Sequence, residues 1–383
     1  MQRTDAILTS LRIREKKALI LNITKNNFIR IVENEFLDLP RRWDGYDFYR
    51  TVDSLFQEYL TLLNHYMKGN DVKKVRTICN GILECIDQYH RGFPDKAFKK
   101  IETVMSKLIS HPLTIYRKSG LTDSFNNNDP LKLFRIRNVQ ININYSRKDI
   151  FHTPYNLRSK VSTCRYSISG YPSLYLGTSL ELCRQEAKIG SFDDLTITSR
   201  YKIERNMLYN DGIVIDVLEL GLKPKDFLNN GFTGNVSISE LHNEYRRRRF
   251  NEIDLDDIEV MSKYLYWYPL VAACSFIRAN KSDPFASEYI VPQLLMQWVR
   301  SQIQKDKLFG IRYFSCASIR ASELGFNYVF PVSGEKYVDD ERYCKILANS
   351  FKLTMPCYLH EFDSINDCEI FLSNRTDMDF ERI

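Results

Sequence analysis

The sequence has no apolar run long enough to cross a bilayer. Its longest, Tyr264 to Ile277, carries Pro269 and falls short of the roughly 20 residues a spanning helix needs. The N-terminus does not have the layout of a secretory leader: charges interrupt the apolar residues between Met1 and Leu21, and no small-residue cleavage site follows. No Cys-x-x-Cys pair occurs. The nine cysteines are odd in number and scattered, which argues for reduced thiols in a cytoplasmic protein and against a disulfide or zinc framework. Gly-x-Gly-x-x-Gly and Gly-x-x-x-x-Gly-Lys-Ser/Thr are missing, so neither a Rossmann pyrophosphate cradle nor a P-loop is indicated. His-Glu-x-x-His and Gly-x-Ser-x-Gly are missing too, which argues against a zincin or an α/β-hydrolase. Cys357 and His360 stand three apart with no second pair of ligands, and read as two ordinary side chains; no metal is expected.

What is present is a chain that folds. Hydrophobic residues make up 44% and aromatics 13%, well above the composition of disordered segments. The 383 residues suffice for two ordinary domains. The net charge of +6 is spread along the length. It suits an anionic small molecule and argues only weakly for nucleic acid.

The first 120 residues have helical periodicity. One stripe runs Leu55, Phe56, Tyr59, Leu60, Leu63, Tyr66, Met67, a second Val75, Ile78, Cys79, Ile82, Leu83, Ile86, and a third Ala97, Phe98, Ile101, Val104, Met105, Leu108. Each has the three-and-four spacing of a helix burying one face. Breaks are expected at Gly69-Asn70 and at Arg91 to Pro94. Nothing here suggests chemistry: His65, His90 and His111 are dispersed. A polar stretch from Ser119 to Pro130 reads as a linker. The expected division is a helical domain over 1–125 and a second domain over 126–383.

Strand patterns follow. Phe134 to Arg137 and Val139 to Ile143 alternate, and Leu174 to Leu176, Ile213 to Leu218, Ile311 to Ser315 and Asn327 to Val332 are further candidates. Thr178-Ser179-Leu180-Glu181 has the form of a capping box, Thr178 at N-cap and Glu181 at N3, opening a helix through Glu186. Helices are expected over Tyr264 to Ala279 and Tyr289 to Gln304. Strands and helices do not alternate strictly, which favours α+β, with an all-α region in front.

The segment from Phe151 to Glu186 carries the one constellation with chemical promise: Arg165 near a turn, Tyr175 on a strand, Glu186 on the next helix. A guanidinium matches a pyrophosphate bidentately. A Tyr ring can stack on a nicotinamide, and its hydroxyl can bond a ribose or carboxamide. Cleaving the nicotinamide–ribose bond builds positive charge on the sugar, which a carboxylate stabilises. Nicotinamide leaves neutral, so one carboxylate can suffice. The residues alone equally allow Tyr175 as a core aromatic, Glu186 as a solvated helix residue and Arg165 as a surface cation.

Between about 130 and 335 the chain resembles the RES domain. The resemblance is carried, in family order over about 200 residues, by Phe134 to Arg137, Phe151 to Pro154, Arg165-Tyr166-Ser167 with Gly170-Tyr171-Pro172, Leu174 to Leu176, Glu186, Glu288 to Gln293, Gly310 to Ser315 and Asn327 to Pro331. It implies an ADP-ribosyltransferase-like mixed sheet. It also implies a bacterial toxin that consumes NAD⁺ as substrate, by hydrolysis or phosphorolysis or by ADP-ribosylating a protein, with no separate cofactor. By this resemblance Glu186 is the catalytic carboxylate, Tyr175 stacks near the nicotinamide, Arg165 binds the dinucleotide phosphates, and Ser315 completes the pocket. Arg135 is a second phosphate contact, with Arg137 as its alternative; His152 and Tyr155 shape a loop. A binding module that keeps the fold without the activity is the remaining alternative. An acidic residue two positions before the catalytic Glu helps acceptor choice in some transferases of this superfamily; Arg184 stands there, which leans toward small-molecule chemistry. The resemblance admits an antitoxin or regulatory protein as partner, and leaves homo-oligomerisation open. The chain departs from compact toxins in its front helical region and in an insertion over Leu222 to Asp257, whose Arg246 to Arg249 read as a solvated face.

Overall fold

In the computed structural model, residues 20–110, 131–140, 143–189, 195–204, 216–228, 255, 257–303 and 308–383 are described. The polar stretch at 119–130, the expected boundary at 125–126, His111, Gln304 and Arg246 to Arg249 lie outside them.

The front of the chain is helical, as its stripes require. Helix α1 covers Lys25–Val32, α2 Phe48–Tyr66, α3 Gly69–His90 and α4 Pro94–Ile109. Asp47 caps α2 by accepting from the Arg50 amide at 3.0 Å, and Pro94 occupies the first turn of α4, where no donor is needed. The break expected at Gly69-Asn70 falls earlier, at Met67 and Lys68; Gly69 is the first residue of α3. Gly81 lets α3 and α4 touch, since a Cβ there would stand 2.5 Å from Val104 Cγ2.

The rest is an eight-stranded mixed sheet: β1 Leu133–Asn138, β2 Ser173–Gly177, β3 Thr196–Ile203, β4 Asp216–Leu220, β5 Leu308–Phe314, β6 Phe326–Pro331, β7 Phe351–Leu353 and β8 Cys357–Tyr358. The spatial order is β4-β5-β6-β2-β1-β3-β7, with β8 also on β3. Among the described strands of this sheet, only β4 and β5 pair in parallel; every other ladder is antiparallel. The architecture is therefore α+β with helices at the N-terminus. The second half of the expected early strand does not form: Val139, Gln140 and Ile143 lie outside the sheet, and 141–142 are not described. The β1 ladder ends at Asn138, and the chain turns into the short helix α5, Arg147–Ile150, where Asp149 accepts from the Ser146 amide at 2.8 Å.

Helix α6, Leu180–Ala187, starts one residue away from the expected cap. Ser179 accepts from the Leu182 amide at 3.2 Å, whereas Thr178 Oγ1 accepts from the Phe326 amide at 2.9 Å and so ties the strand end to β6. Both hydroxyls could cap; the neighbouring β6 amide claims the first.

Helices α7, Ile258–Ala273, and α8, Ile290–Gln302, are buried along nearly their whole length. They are sandwiched between the sheet and α2–α4, in one continuous apolar cluster that includes Phe56, Tyr59, Val75, Leu108, Trp267, Leu295 and Ile311. Polar bonds stitch the layers: Tyr59 Oη donates to Leu265 O at 2.7 Å, and the Leu21 amide to Ser262 Oγ at 2.9 Å. The helix expected through Ala279 ends at Ala273, because residues 275–277 straighten to pair with Arg41. The opposite sheet face carries a second cluster, with Leu174, Leu176, Tyr201, Tyr328, Phe330 and Phe351, covered by α5 and by α9, Lys345–Ser350. Helix α10, Ile365–Ser373, packs beside α6, where Glu369 accepts from the Leu180 amide at 2.7 Å.

Candidate active site

Three local devices bring distant residues to one cavity of about 550 Å³, the size range of small-molecule sites. The first is a tight turn. Cys164 and Ser167 exchange backbone hydrogen bonds of 2.9 and 3.2 Å, which leaves Arg165 and Tyr166 at the tip. Tyr166 is fully buried against Tyr313, ring centroids 4.7 Å apart. Gln293 of α8 holds the turn by donating to Cys164 O at 3.0 Å.

Arg165 lines the cavity but is mostly occupied elsewhere. Its Nη1 donates to Cys274 O at 3.1 Å and its Nη2 to Phe276 O at 2.7 Å, and its guanidinium lies 5.0 Å from the Tyr289 ring centre. The two carbonyls follow the C-terminus of α7.

The second device is the strand pair β2–β6. Tyr175, on β2, reaches Ser167 Oγ at 2.8 Å. Ser167 gives its own proton to Ser173 Oγ at 2.9 Å, so the phenol is the donor in the first bond. Burial, helped by Cys164, pushes the Tyr175 hydroxyl well above its ordinary range, so it stays a neutral phenol.

The third device fixes Glu186, in the last turn of α6. Its Oε1 accepts from Ser315 Oγ and from Asn327 Nδ2, both at 2.6 Å. Ser315 follows β5 and is fully buried; Asn327 sits on β6 opposite Gly177 and Tyr313. Two donors thus hold one carboxylate oxygen, and among the described residues Oε2 has no hydrogen bond. Ser315 itself stands behind Glu186 and does not line the cavity.

Arg135 also lines the cavity, from β1. Its Nη1 is buried without a hydrogen-bond partner among the described residues, and burial lowers its pKa. Arg137 does not line the cavity; its Nη1 donates to Asp149 O. His152 and Tyr155 lie away from it. His152 is fully buried, with Nε2 accepting from the Cys344 amide at 2.9 Å and Nδ1 bonded to Thr153 O at 2.8 Å. Burial pushes its pKa down to about 4. The Tyr155 amide donates to Arg342 O at 2.7 Å. Both therefore pin the 334–344 loop.

The walls include side chains that the sequence reading did not single out. Lys188, Arg278 and Lys281 join Arg135 and Arg165, giving five cations against one lining carboxylate, Glu186. Lys188 has φ +57, a left-handed C-cap to α6. Asn327 was legible only as part of a resembling stretch, and no signal tied it to Glu186. Among the described residues, no group of three or more His, Cys, Asp or Glu side chains is arranged to hold a metal ion. None of the helices among them is long and apolar enough to cross a membrane.

No protein-family model matches the chain, and no solved structure matches it. A curated protein of Bacillus subtilis (strain 168), "Putative toxin YopC", is 27% identical over 346 residues, covering 86% of this chain and 70% of that protein. That stretch is longer than the 258 residues that follow position 125, so the likeness takes in part of the helical layer as well as the sheet.

Proposed function

We propose that the chain is a toxin or defence effector that cleaves the nicotinamide–ribose bond of NAD⁺, as an NAD⁺ glycohydrolase or phosphorylase of RES-domain type. The observation that carries this reading is Glu186 on the wall of a cationic cavity, one oxygen clamped by Ser315 and Asn327 and the other left open. The toxin part is supported by the name of the Bacillus subtilis relative.

In this reading the dinucleotide's pyrophosphate meets the cations, with Arg135 supplying a buried donor that lacks a partner. A buried polar group without a hydrogen bond is costly, and a ligand oxygen would relieve it. The nicotinamide lies against Tyr175, whose neutral hydroxyl adds no charge. The C–N bond to the ribose breaks, its electron pair leaving with neutral nicotinamide. Glu186 Oε2 faces the resulting sugar cation and stabilises it. Water or phosphate then forms the new bond at the same carbon, giving ADP-ribose and a proton, or a phosphorylated ADP-ribose. The clamp on Oε1 keeps the carboxylate from rotating, so no reorganisation is needed during the step.

Transfer to a protein is the second reading. Arg184, two positions before Glu186, is paired to Glu181 at 2.7 Å and offers no carboxylate to an incoming acceptor, which favours a small acceptor.

The test is nicotinamide release from NAD⁺ by the purified chain, with and without phosphate, beside Glu186→Gln. Release by the parent and loss in the variant are expected. A folded parent that releases none under either condition refutes cleavage with water or phosphate as acceptor and leaves transfer to a protein or a binding module. Label appearing on a protein, with little free ADP-ribose, would favour transfer.

A further inference from the structure

The segment after α7 forms one wall of the cavity through Ile277, Arg278 and Lys281. It is extended, so successive backbone groups point to opposite edges. One edge gives Cys274 O and Phe276 O to Arg165. The other gives Ser275 O and the Ile277 amide to Arg41: the Arg41 amide donates to Ser275 O at 3.1 Å, and the Ile277 amide to Arg41 O at 2.7 Å. This is a parallel bridge centred on Arg41 and Phe276.

Further contacts lock the same wall to the front of the chain. The Phe276 ring is buried edge-on against Phe48, the first residue of α2, at 5.2 Å. Gly45 turns with φ +83 directly over Ala279, where an added Cβ would come within 3.1 Å of the Ala279 side chain. Arg41 itself is anchored by its guanidinium on Phe36 O. Glu288 accepts from the Ala279 amide at 3.1 Å, so the wall is also tied to the start of α8.

We infer that Arg41, Gly45 and Phe48 of the helical layer are a structural part of the cavity, with Arg41 as a positioning residue acting through Phe276 on Arg165. A strap of three residues, 275–277, carries the mechanical connection. The helical layer is then no detachable adaptor: displacing it moves the cationic wall and frees Arg165 from its carbonyls. Glu186 stands on α6, Asn327 on β6 and Ser315 just after β5; the strap's backbone hydrogen bonds go to Arg165 and Arg41 and to none of these three, so ligand capture depends on the layer and the chemical step does not. That last clause rests on the proposed function; the mechanical coupling does not.

The experiment uses the full chain with Arg41→Pro, which lacks the N–H bonded to Ser275, and Gly45→Ala, which is strained at positive φ and crowds Ala279. Tyr46→Ala, 92% exposed beside them, is the control. Hydrogen exchange is followed in peptides spanning 274–281 and 162–168, and KM and kcat for NAD⁺ in parallel. In either variant both peptides should exchange about tenfold faster and KM should rise about tenfold, with kcat within about twofold of the parent. The control should match the parent. Faster exchange at 274–281 with 162–168 unchanged overturns the coupling, as does no change in either peptide. A fall in kcat at unchanged KM overturns the division between capture and chemistry. Should Arg41→Pro fail to fold, Gly45→Ala decides. Should the parent not turn over NAD⁺, the proposed function fails, and the exchange data still decide the coupling.

Discussion

His152 makes stability depend on pH in a way that can be worked out beforehand. Its ring is fully buried, and Nε2 must stay unprotonated to accept from the Cys344 amide. Its pKa drops from 6.5 to about 4 on folding. A group with a depressed cationic pKa binds its proton in the unfolded chain first. The folded state therefore loses ground as pH falls from about 6.5 to about 4, and the full contribution is present above that window. At pH 4.5 the loss relative to neutral pH is about 2.5 kcal/mol, approaching a limit of about 3.4 kcal/mol for the whole shift. Carboxylates titrate over the same range, so the parent alone is uninformative. The comparison is denaturant unfolding of parent and His152→Gln at pH 7.5 and 4.5. Gln supplies an acceptor without a titrating proton. The variant should lose about 2.5 kcal/mol less than the parent across that interval. Equal losses would show that His152 is not held neutral, and the account of the 334–344 anchor would fail.

Other perturbations separate clamp, strap and packing. Asn327→Ala removes one of two donors to Glu186 Oε1; a hydrogen bond to a charged group is worth about 1.5–3 kcal/mol, so kcat for nicotinamide release should fall about ten- to a hundredfold, and unchanged kcat would detach Asn327 from the chemistry. Arg165→Lys cannot reach Cys274 O and Phe276 O together, and should lower unfolding free energy by about 2 kcal/mol in denaturant titration; a variant as stable as the parent would restore Arg165 to a purely ligand-binding role. Gly81→Leu forces a side chain into Val104 between α3 and α4 and should destabilise by about 1–3 kcal/mol, visible as a lower Tm.

Much of the fold was legible because burial repeats along the chain. The stripes from Leu55 to Leu108 became α2, α3 and α4, and the alternating runs at 134–137, 174–176, 311–315 and 327–332 became β1, β2, β5 and β6. What escaped was whatever periodicity does not encode. Strand β3 is buried on nearly every residue; Ser199 interrupts the face that Ile197, Tyr201 and Ile203 share, and Arg200 is buried on the other, so the alternation over Thr196 to Ile203 is blunted. The choice between Thr178 and Ser179 as cap was decided by an amide on β6, 148 residues away. At the candidate site, Arg165, Tyr175 and Glu186 could be named from side-chain chemistry, with Ser315 and Arg135 added by the RES resemblance. Asn327 could not, since its bond to Glu186 spans 141 residues. Nor could the partners of Arg165, which are main-chain carbonyls: every residue has one, so no residue type announces them.

The clamp on Glu186 also sets a timetable for synthesis. The ribosome delivers α1 to α4 before the turn with Arg165, Tyr175 and Glu186 itself. Ser315 and Asn327 arrive only when β5 and β6 have been made, more than three-quarters of the way along the chain. Until then the carboxylate lacks the two donors that hold its Oε1, and the sheet between β2 and β4 is open. On the proposed function, a cell making this protein meets its activity only once β6 has been made. Products truncated before Leu308 should accumulate harmlessly in cells, and toxicity from such a fragment would show that the carboxylate works unclamped.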